Sequence, residues 1–335
     1  MSAADPILQV ENLHTHFMTE RGLVRAVDGV SFTLGHGITL GLVGESGCGK
    51  TILCRTLMGL LPPSAKISEN ARVLFNGRDI SRLSEKQLRA VRGREVAMIF
   101  QDPMTSLNPV MKVGAQISET LIYHLGMSKA EARERGIELL RAVGISAPER
   151  RIDEYPHQLS GGIRQRVAIA IALACEPKLL IADEPTTALD VTVQSGILDL
   201  LREQQRERQM SMILITHDLG VVAGRTDEIA VMYAGKMVER SSTEALFANM
   251  RMPYTQALME SIPHLDHPTH TRLRTISGQP PNLIYPPPGC RFAPRCTRAE
   301  DTCHSDEPVL GSDGDTDHTF ACWHPVGQPA TGSAP

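Results

Sequence analysis

The octapeptide Gly44-Glu45-Ser46-Gly47-Cys48-Gly49-Lys50-Thr51 constrains this chain more than any other stretch. It fits the pattern G-x-x-x-x-G-K-[ST], whose backbone amides cradle phosphate. An apolar run, Ile38 to Val43, precedes it and reads as a buried strand; a second, Ile52 to Leu61, follows at helical length and stops at Pro62-Pro63. Strand, glycine-rich turn and helix in that order is the context the motif requires. Gly44, Gly47 and Gly49 let consecutive N–H groups turn inward on an anion, with Glu45, Ser46 and Cys48 at the intervening positions. The helix adds its positive end. Lys50 reaches the β- and γ-phosphates of a nucleotide as a point charge, and the Thr51 hydroxyl suits Mg²⁺. The alternative is a chance glycine turn, which the flanking runs disfavour.

Bulk properties narrow the class. At 335 residues the chain can hold one large or two medium domains. A formal net charge of −4 gives no support to nucleic-acid binding as the main task. No apolar stretch approaches the length of a membrane span, and the first residues lack a basic segment followed by an apolar run. A cytosolic chain is therefore expected. Seven cysteines in a chain without a signal argue against a disulfide framework, yet Cys290, Cys296, Cys303 and Cys322 crowd into the last fifth.

Taken in order, residues 7–34 read as short β segments at Ile7 to Val10, Ala26-Val27 and Val30 to Phe32. Phe17 reads as a core ring on an edge strand or as a ring able to stack on a base, with the first favoured by sequence alone. Arg72 to Phe75 runs into the turn signal Asn76-Gly77. Glu95 to Phe100 is an apolar strand broken at Gln101-Asp102-Pro103; Gln101 is either a plain loop residue or placed to meet a metal or a water. Gly114 to Gly126 and Ser128 to Val143 carry helical spacing, the second opened by a Ser128/Glu131 capping box. Residues 104–158 are too long for a simple connection and read as a helical subdomain. Ser160-Gly161-Gly162 then starts an apolar helix, either as an ordinary cap or as a second anion cradle. Leu179 to Ala182 leads into Asp183-Glu184, a carboxylate pair at a strand end. Asp183 suits Mg²⁺ and Glu184 suits polarisation of a water. Ala188-Leu189-Asp190 introduces a long amphipathic helix to about Arg208, Met212 to Thr216 is a buried strand ending at His217, and Ala234-Gly235-Lys236 reads as a hairpin turn.

The order GESGCGKT, Gln101, LSGGIRQR, LLIADE, Ala188-Leu189-Asp190 and His217 resembles the ATP-binding cassette (ABC) ATPases across roughly residues 7–250. The resemblance implies an α/β fold: a P-loop NTPase (RecA-like) core, an N-terminal antiparallel β subdomain, an α-helical subdomain inserted over about 104–166, and a Cys-rich C-terminal extension. The implied division is an ATPase domain at 1–250, the extension at 251–325 and a disordered tail at 326–335. It implies adenine stacking by Phe17, Mg²⁺ held by Thr51, Gln101 and Asp183, a catalytic base in Glu184, and a γ-phosphate switch in His217. Lys50 and Gln101 count with these as catalytic groups. Ser160, Gly161, Gly162, Gln165 and Asp190 are implied to complete the site of a facing cassette. Ile163 stands where Gln is commonest in LSGGQ, and Cys48 where Ser or Ala is usual; a thiol there is expected to make the site sensitive to alkylation.

Beyond 250, Pro253-Tyr254-Thr255-Gln256-Ala257-Leu258 and Pro286-Pro287-Pro288-Gly289-Cys290-x-Phe292-x-x-Arg295-Cys296 resemble the extension of the oligopeptide/dipeptide/nickel importer branch. That branch implies a heterodimer with a second ABC ATPase, two transmembrane permease subunits and an extracytoplasmic solute-binding protein, at the cytoplasmic face of the cell membrane. The cysteines follow C-x5-C-x6-C-x18-C. Four thiolates suit a [4Fe–4S] cluster or tetrahedral Zn²⁺, and the missing C-x2-C pair counts against a zinc ribbon. The branch resemblance favours the iron–sulfur cluster, as a structural staple; free or bridged cysteines stay open, and His304, His318 and His324 are substitute ligands or simply solvated. The expected activity is ATP hydrolysis driving uptake of di- or oligopeptides. Nickel, glutathione or sugar import are alternatives, as is a soluble non-transport ABC ATPase, which the single cassette disfavours. A regulatory module with a dead site is disfavoured by Lys50, Asp183, Glu184 and His217.

Overall fold

The structure is a computed structural model, and it describes residues 5–102, 106–187, 189–262, 276–312, 314 and 317–327. Pro103 and Ala188 lie outside these, as does the tail from Gln328. Two compact units emerge, one of residues 5–7, 35–38 and 82–215, the other of residues 8–34, 39–81 and 216 onward.

From Leu8 the chain builds the second unit. β1 (Leu8–Thr19) and β2 (Gly22–Leu34) form a long antiparallel hairpin in place of three short segments. Their inside–outside alternation is that of strands covered on one face. β3 (Thr39–Val43) is buried at every position, as its continuous apolar run requires. The helix after the glycine turn, α1 (Lys50–Leu57), is shorter than the apolar run suggested, with Gly59 at φ 61° just past its end. It buries Lys50, Leu53, Cys54, Thr56 and Leu57, one stripe of a 3.6-residue period. β4 (Ala65–Ile67) and β5 (Arg72–Phe75) both pair with β1, and β5 turns through Asn76-Gly77 into β6 (Arg78–Asp79). Because β1 has partners on both sides, Phe17 is not on an edge strand; it sits opposite Val24 and Ala65, half-buried.

The other unit carries the helical layer. After α2 (Glu85–Val91) and β7 (Val96–Ile99) come α3 (Val113–Leu125) and α4 (Lys129–Ala142). The Ser128 hydroxyl accepts from the Glu131 amide at 3.3 Å and the Glu131 carboxylate accepts from the Ser128 amide at 2.8 Å, the reciprocal cap read from the sequence. α3 buries Val113, Ile117 and Leu121 against the Ala132, Gly136 and Leu140 side of α4. α5 (Pro148–Arg151) leads to α6 (Gly161–Leu173), β8 (Leu179–Asp183), α7 (Val191–Arg208) and β9 (Ser211–Thr216). β7, β8 and β9 run parallel in register, and each is an apolar run buried on both faces.

The chain then returns to the second unit. α8 (Leu219–Val222) precedes β10 (Glu228–Tyr233), which pairs parallel with β3 and antiparallel with β11 (Lys236–Ser242) through Ala234-Gly235 at φ 47° and 87°. α9 (Thr243–Ala248), α10 (Pro253–Glu260) and α11 (Asp301–Ser305) follow, and β12 (Thr319–Phe320) adds to β11. Val326 donates to the Arg251 carbonyl at 2.8 Å, so the first residue of the expected tail is tied down. Among the described residues, no helix is long and apolar enough to cross a membrane.

Candidate functional site

The glycine loop between β3 and α1 has the shape its sequence demands. Gly44, Gly47 and Gly49 have φ of 157°, 78° and 109°. A Cβ at Gly44 would lie 2.2 Å from the Met232 carbonyl oxygen, and one at Gly49 2.2 Å from that of Ala26, so these two positions exclude side chains by contact as well as by dihedral. α1 begins at Lys50, directly after the loop, and the first turn of a helix offers its amides to whatever lies ahead of it. Lys50 is buried and bends back over the loop, donating to the Gly44 carbonyl at 2.6 Å and the Glu45 carbonyl at 3.0 Å. An ammonium held by two carbonyls of its own loop is poised to exchange them for phosphate oxygens. Cys48 is buried, and desolvation pushes its thiol up despite the charge of Lys50, so the expected alkylation sensitivity is not supported: a protonated, covered thiol is a poor nucleophile.

Sequence reasoning missed what braces this loop. Arg295 forks onto the Glu45 carboxylate at 2.7 and 2.9 Å, and the Glu45 amide donates to the Tyr254 hydroxyl at 2.9 Å. Tyr233, Tyr254 and Phe292 form an aromatic cluster with centroids 4.5 to 5.3 Å apart beneath them. The signal was present: Tyr254, Phe292 and Arg295 all sit in the motifs read as a family extension.

The other unit gathers the carboxylates. Asp183 is buried at the end of β8. Glu184 follows at φ 44°, a left-handed conformation that a non-glycine residue adopts at a cost. Its amide donates to the Ile215 carbonyl at 3.1 Å, and its carboxylate accepts from Gln101 Nε2 at 2.9 Å and Thr187 Oγ1 at 3.0 Å. Gln101 is thus a partner of Glu184 and no plain loop residue. Ser160 caps α6 in extended conformation. Gly161 and Gly162 form its first turn, where a Cβ on Gly162 would lie 2.8 Å from Val193 Cγ1. Gln165 faces inward, fully buried, and neither amide atom has a hydrogen-bond partner. Asp190 caps α7, its carboxylate accepting from the Val193 amide at 2.9 Å. In the second unit, which the chain re-enters at Thr216, His217 stands exposed and Asp218 beside it caps α8.

Residues 27–187 match the ABC transporter family, and residues 238–303 match the oligopeptide/dipeptide transporter C-terminal region. The chain is 51% identical over 320 residues to the dipeptide transport ATP-binding protein DppD of Bacillus subtilis (strain 168), covering 95% of each chain. It is 49% identical over 323 residues to the oligopeptide transport ATP-binding protein OppD of Escherichia coli (strain K12), covering 96% of this chain and 94% of that one. This chain is an ABC transporter ATPase. Among solved structures it is similar to the dimeric ATP-binding cassette MJ0796 in a post-hydrolysis state with ADP and phosphate. The TM-score is 0.64 at 27% identity, over 70% of this chain and 98% of that one.

The extension of this ABC ATPase brings its four cysteines to one narrow cavity, shared with Phe292, Trp323 and His324. All seven cysteines of the chain are unbridged. Desolvation pushes the thiols of Cys290, Cys296 and Cys322 up, that of Cys322 to about 12, with the neighbouring thiols adding to the effect. Among the described residues, no three of the four sulfurs lie within 4.8 Å of one another. His324 Nε2 is buried 3.5 Å from a Glu300 carboxylate oxygen, whereas His304 is exposed. His318 is buried against Glu239 at 2.7 Å, neither solvated nor a ligand to the cysteine cavity.

Proposed function

We propose that this ABC ATPase powers import of di- or oligopeptides, as the ATP-hydrolysing subunit of a complex at the cytoplasmic face of the cell membrane. Its partners in this reading are a second ABC ATPase, two transmembrane permeases and an extracytoplasmic solute-binding protein. The observation that carries the peptide assignment is the continuity of the cassette with an oligopeptide/dipeptide transporter C-terminal region, in a chain about half identical to proteins named for dipeptide and oligopeptide transport.

The chemistry follows from the residues. The amides of 44–51 and the Lys50 ammonium hold the phosphates, and Phe17 offers its ring to adenine. Thr51, Asp183 and Gln101 provide the hard oxygen donors that Mg²⁺ prefers, and the ion supplies charge neutralisation at the phosphates. Glu184, oriented by Gln101 and Thr187, accepts hydrogen-bonding from the attacking water and its proton as the γ-phosphoryl leaves. His217 contacts the γ-phosphate. Ser160 and the amides of Gly161 and Gly162 close on the nucleotide of a facing cassette, with Gln165 and Asp190 completing that boundary. No covalent intermediate is required; positioning and charge stabilisation suffice. Reconstitution with the permeases and binding protein in vesicles tests the proposal: ATP-dependent peptide uptake that Lys50→Ala abolishes is expected, and uptake indifferent to Lys50 contradicts it.

The four-cysteine cavity is assigned to a [4Fe–4S] cluster acting as a staple for the extension. Four thiols converging on one cavity support this reading. Protein purified without oxygen should carry iron and labile sulfide at about four each per chain; zinc in their place would reassign the site.

A further inference from the structure

The opposite face of β1 from the one that meets α1 carries a set of ligands with no part in the ATP chemistry. Thr15 faces inward, its hydroxyl 2.9 Å from that of Thr56 on α1. Its neighbours His14 and His16 therefore point the other way, where the cross-strand partner of His14 is Asp28 on β2. His14 Nδ1 lies 2.9 Å and His16 Nε2 3.2 Å from the same Asp28 oxygen, Oδ1. One nitrogen of each ring and this carboxylate oxygen all lie within 4.8 Å of one another. Register shifts flank both histidines, which is how a strand re-aims side chains toward a common point.

We propose that His14, His16 and Asp28 form a binding site for a divalent late transition ion, Zn²⁺ in the cell. Two ligands at about 2.0–2.1 Å from a tetrahedral ion sit about 3.3 Å apart, close to the separations already present between each ring and the carboxylate. The outer shell is also in place. His14 Nε2 lies 2.9 Å from the Asn12 side-chain oxygen; a proton on Nε2 donated there leaves the Nδ1 lone pair for the metal. Asp28 Oδ2 is occupied by the Arg291 guanidinium, which orients the carboxylate and leaves Oδ1 for the ion. Lys236, whose charge also reaches Asp28, is neutralised by Glu307 at 2.8 Å. Side-chain exposures of 29%, 21% and 12% for His14, His16 and Asp28 leave the ion an approach and a water its fourth position. Two imidazoles and one carboxylate suit Zn²⁺, whereas Mg²⁺ and Ca²⁺ prefer oxygen alone. The bound ion would clasp the β1–β2 hairpin and, through Asp28 and Arg291, the C-terminal extension.

Cobalt titration of the full-length protein, without nucleotide, separates this site from the cysteines. Binding here gives a tetrahedral Co²⁺ spectrum without the intense thiolate-to-cobalt band, and Zn²⁺ displaces it. His16→Gln, at a part-exposed position with no role in the ATP chemistry, should abolish that spectrum and leave basal ATP hydrolysis unchanged. Asn12→Ala, which removes the outer-shell acceptor, should weaken binding about 10- to 100-fold. No uptake, uptake that shows only the thiolate band, or thiolate-free uptake that persists in His16→Gln would each overturn the proposal.

Discussion

Arg295→Ala tests whether the C-terminal extension holds the phosphate loop in shape. The Arg295 side chain is 4% exposed, and that of Glu45 is 26% exposed. Besides the fork onto Glu45, Arg295 donates to the Ser277 carbonyl at 2.9 Å and the Tyr233 hydroxyl at 3.2 Å. A hydrogen bond to a charged group contributes about 1.5–3 kcal/mol, and breaking a buried pair costs about 3–5 kcal/mol. Glu45 retains access to water, so its carboxylate recovers part of this, and a loss of about 2–3 kcal/mol is expected. Glu45 belongs to the loop that grips phosphate, so part of that loss should appear as weaker ATP binding. If half does, the affinity falls about tenfold. Arg295→Lys keeps the charge and loses the fork, and should recover less than half. The assay is a double-mutant cycle of Arg295→Ala and Glu45→Ala, read by denaturant unfolding and by ATP titration calorimetry. A coupling energy of about 1–3 kcal/mol is expected. Strict additivity, or an Arg295→Ala protein as stable and as tight for ATP as the parent, would refute the reasoning.

Three further outcomes follow from other parts of the molecule. Glu184→Gln should bind ATP normally and hydrolyse it about 100- to 10,000-fold more slowly in a single-turnover assay, the usual contribution of a positioned base. Gly49→Ala places a Cβ 2.2 Å from the Ala26 carbonyl at φ 109° and should abolish nucleotide binding or folding, by calorimetry and circular dichroism, whereas Gly126→Ala meets no neighbour and should cost only its left-handed φ of 69°. Asp28 titrates at about 2: burial raises its pKa, but the Arg291 hydrogen bond and charge, with His14, more than offset it. A depressed folded-state pKa stabilises above the unfolded value and is lost as pH falls from about 4 to 2. The contribution is about 2 kcal/mol, and acid titration should show it in the parent but not in Arg291→Gln.

The sequence told most where physics is local. The glycine turn, the buried strands β3, β8 and β9, the Ser128/Glu131 cap and the Ala234-Gly235 turn follow from dihedral needs and apolar periods within a few residues. Lengths were less legible: α1 stops at Leu57 although the apolar run continues, and β1 and β2 are far longer than their apolar cores, because polar residues on a solvated face interrupt the pattern without interrupting the strand. The long-range brackets were not legible at all. Arg295 reaches Glu45 across the length of the chain, Arg291 reaches Asp28, and His318 reaches Glu239; no period or spacing announces such pairs. The burial of Gln165, inside the LSGG-like stretch, was equally illegible, since a polar residue in a motif gives no sign that it faces the interior.

The account rests on a triphosphate held by the amides of 44–51 and closed over by the Ser160 turn of a facing cassette. The most direct test is a structure of the Glu184→Gln complex with Mg²⁺ and ATP, determined in the closed state. The account predicts density for the γ-phosphate within hydrogen-bonding distance of Lys50 Nζ and of the Ser160-type hydroxyl across the interface. A closed, nucleotide-filled assembly in which Ser160 lies far from any phosphate would contradict it.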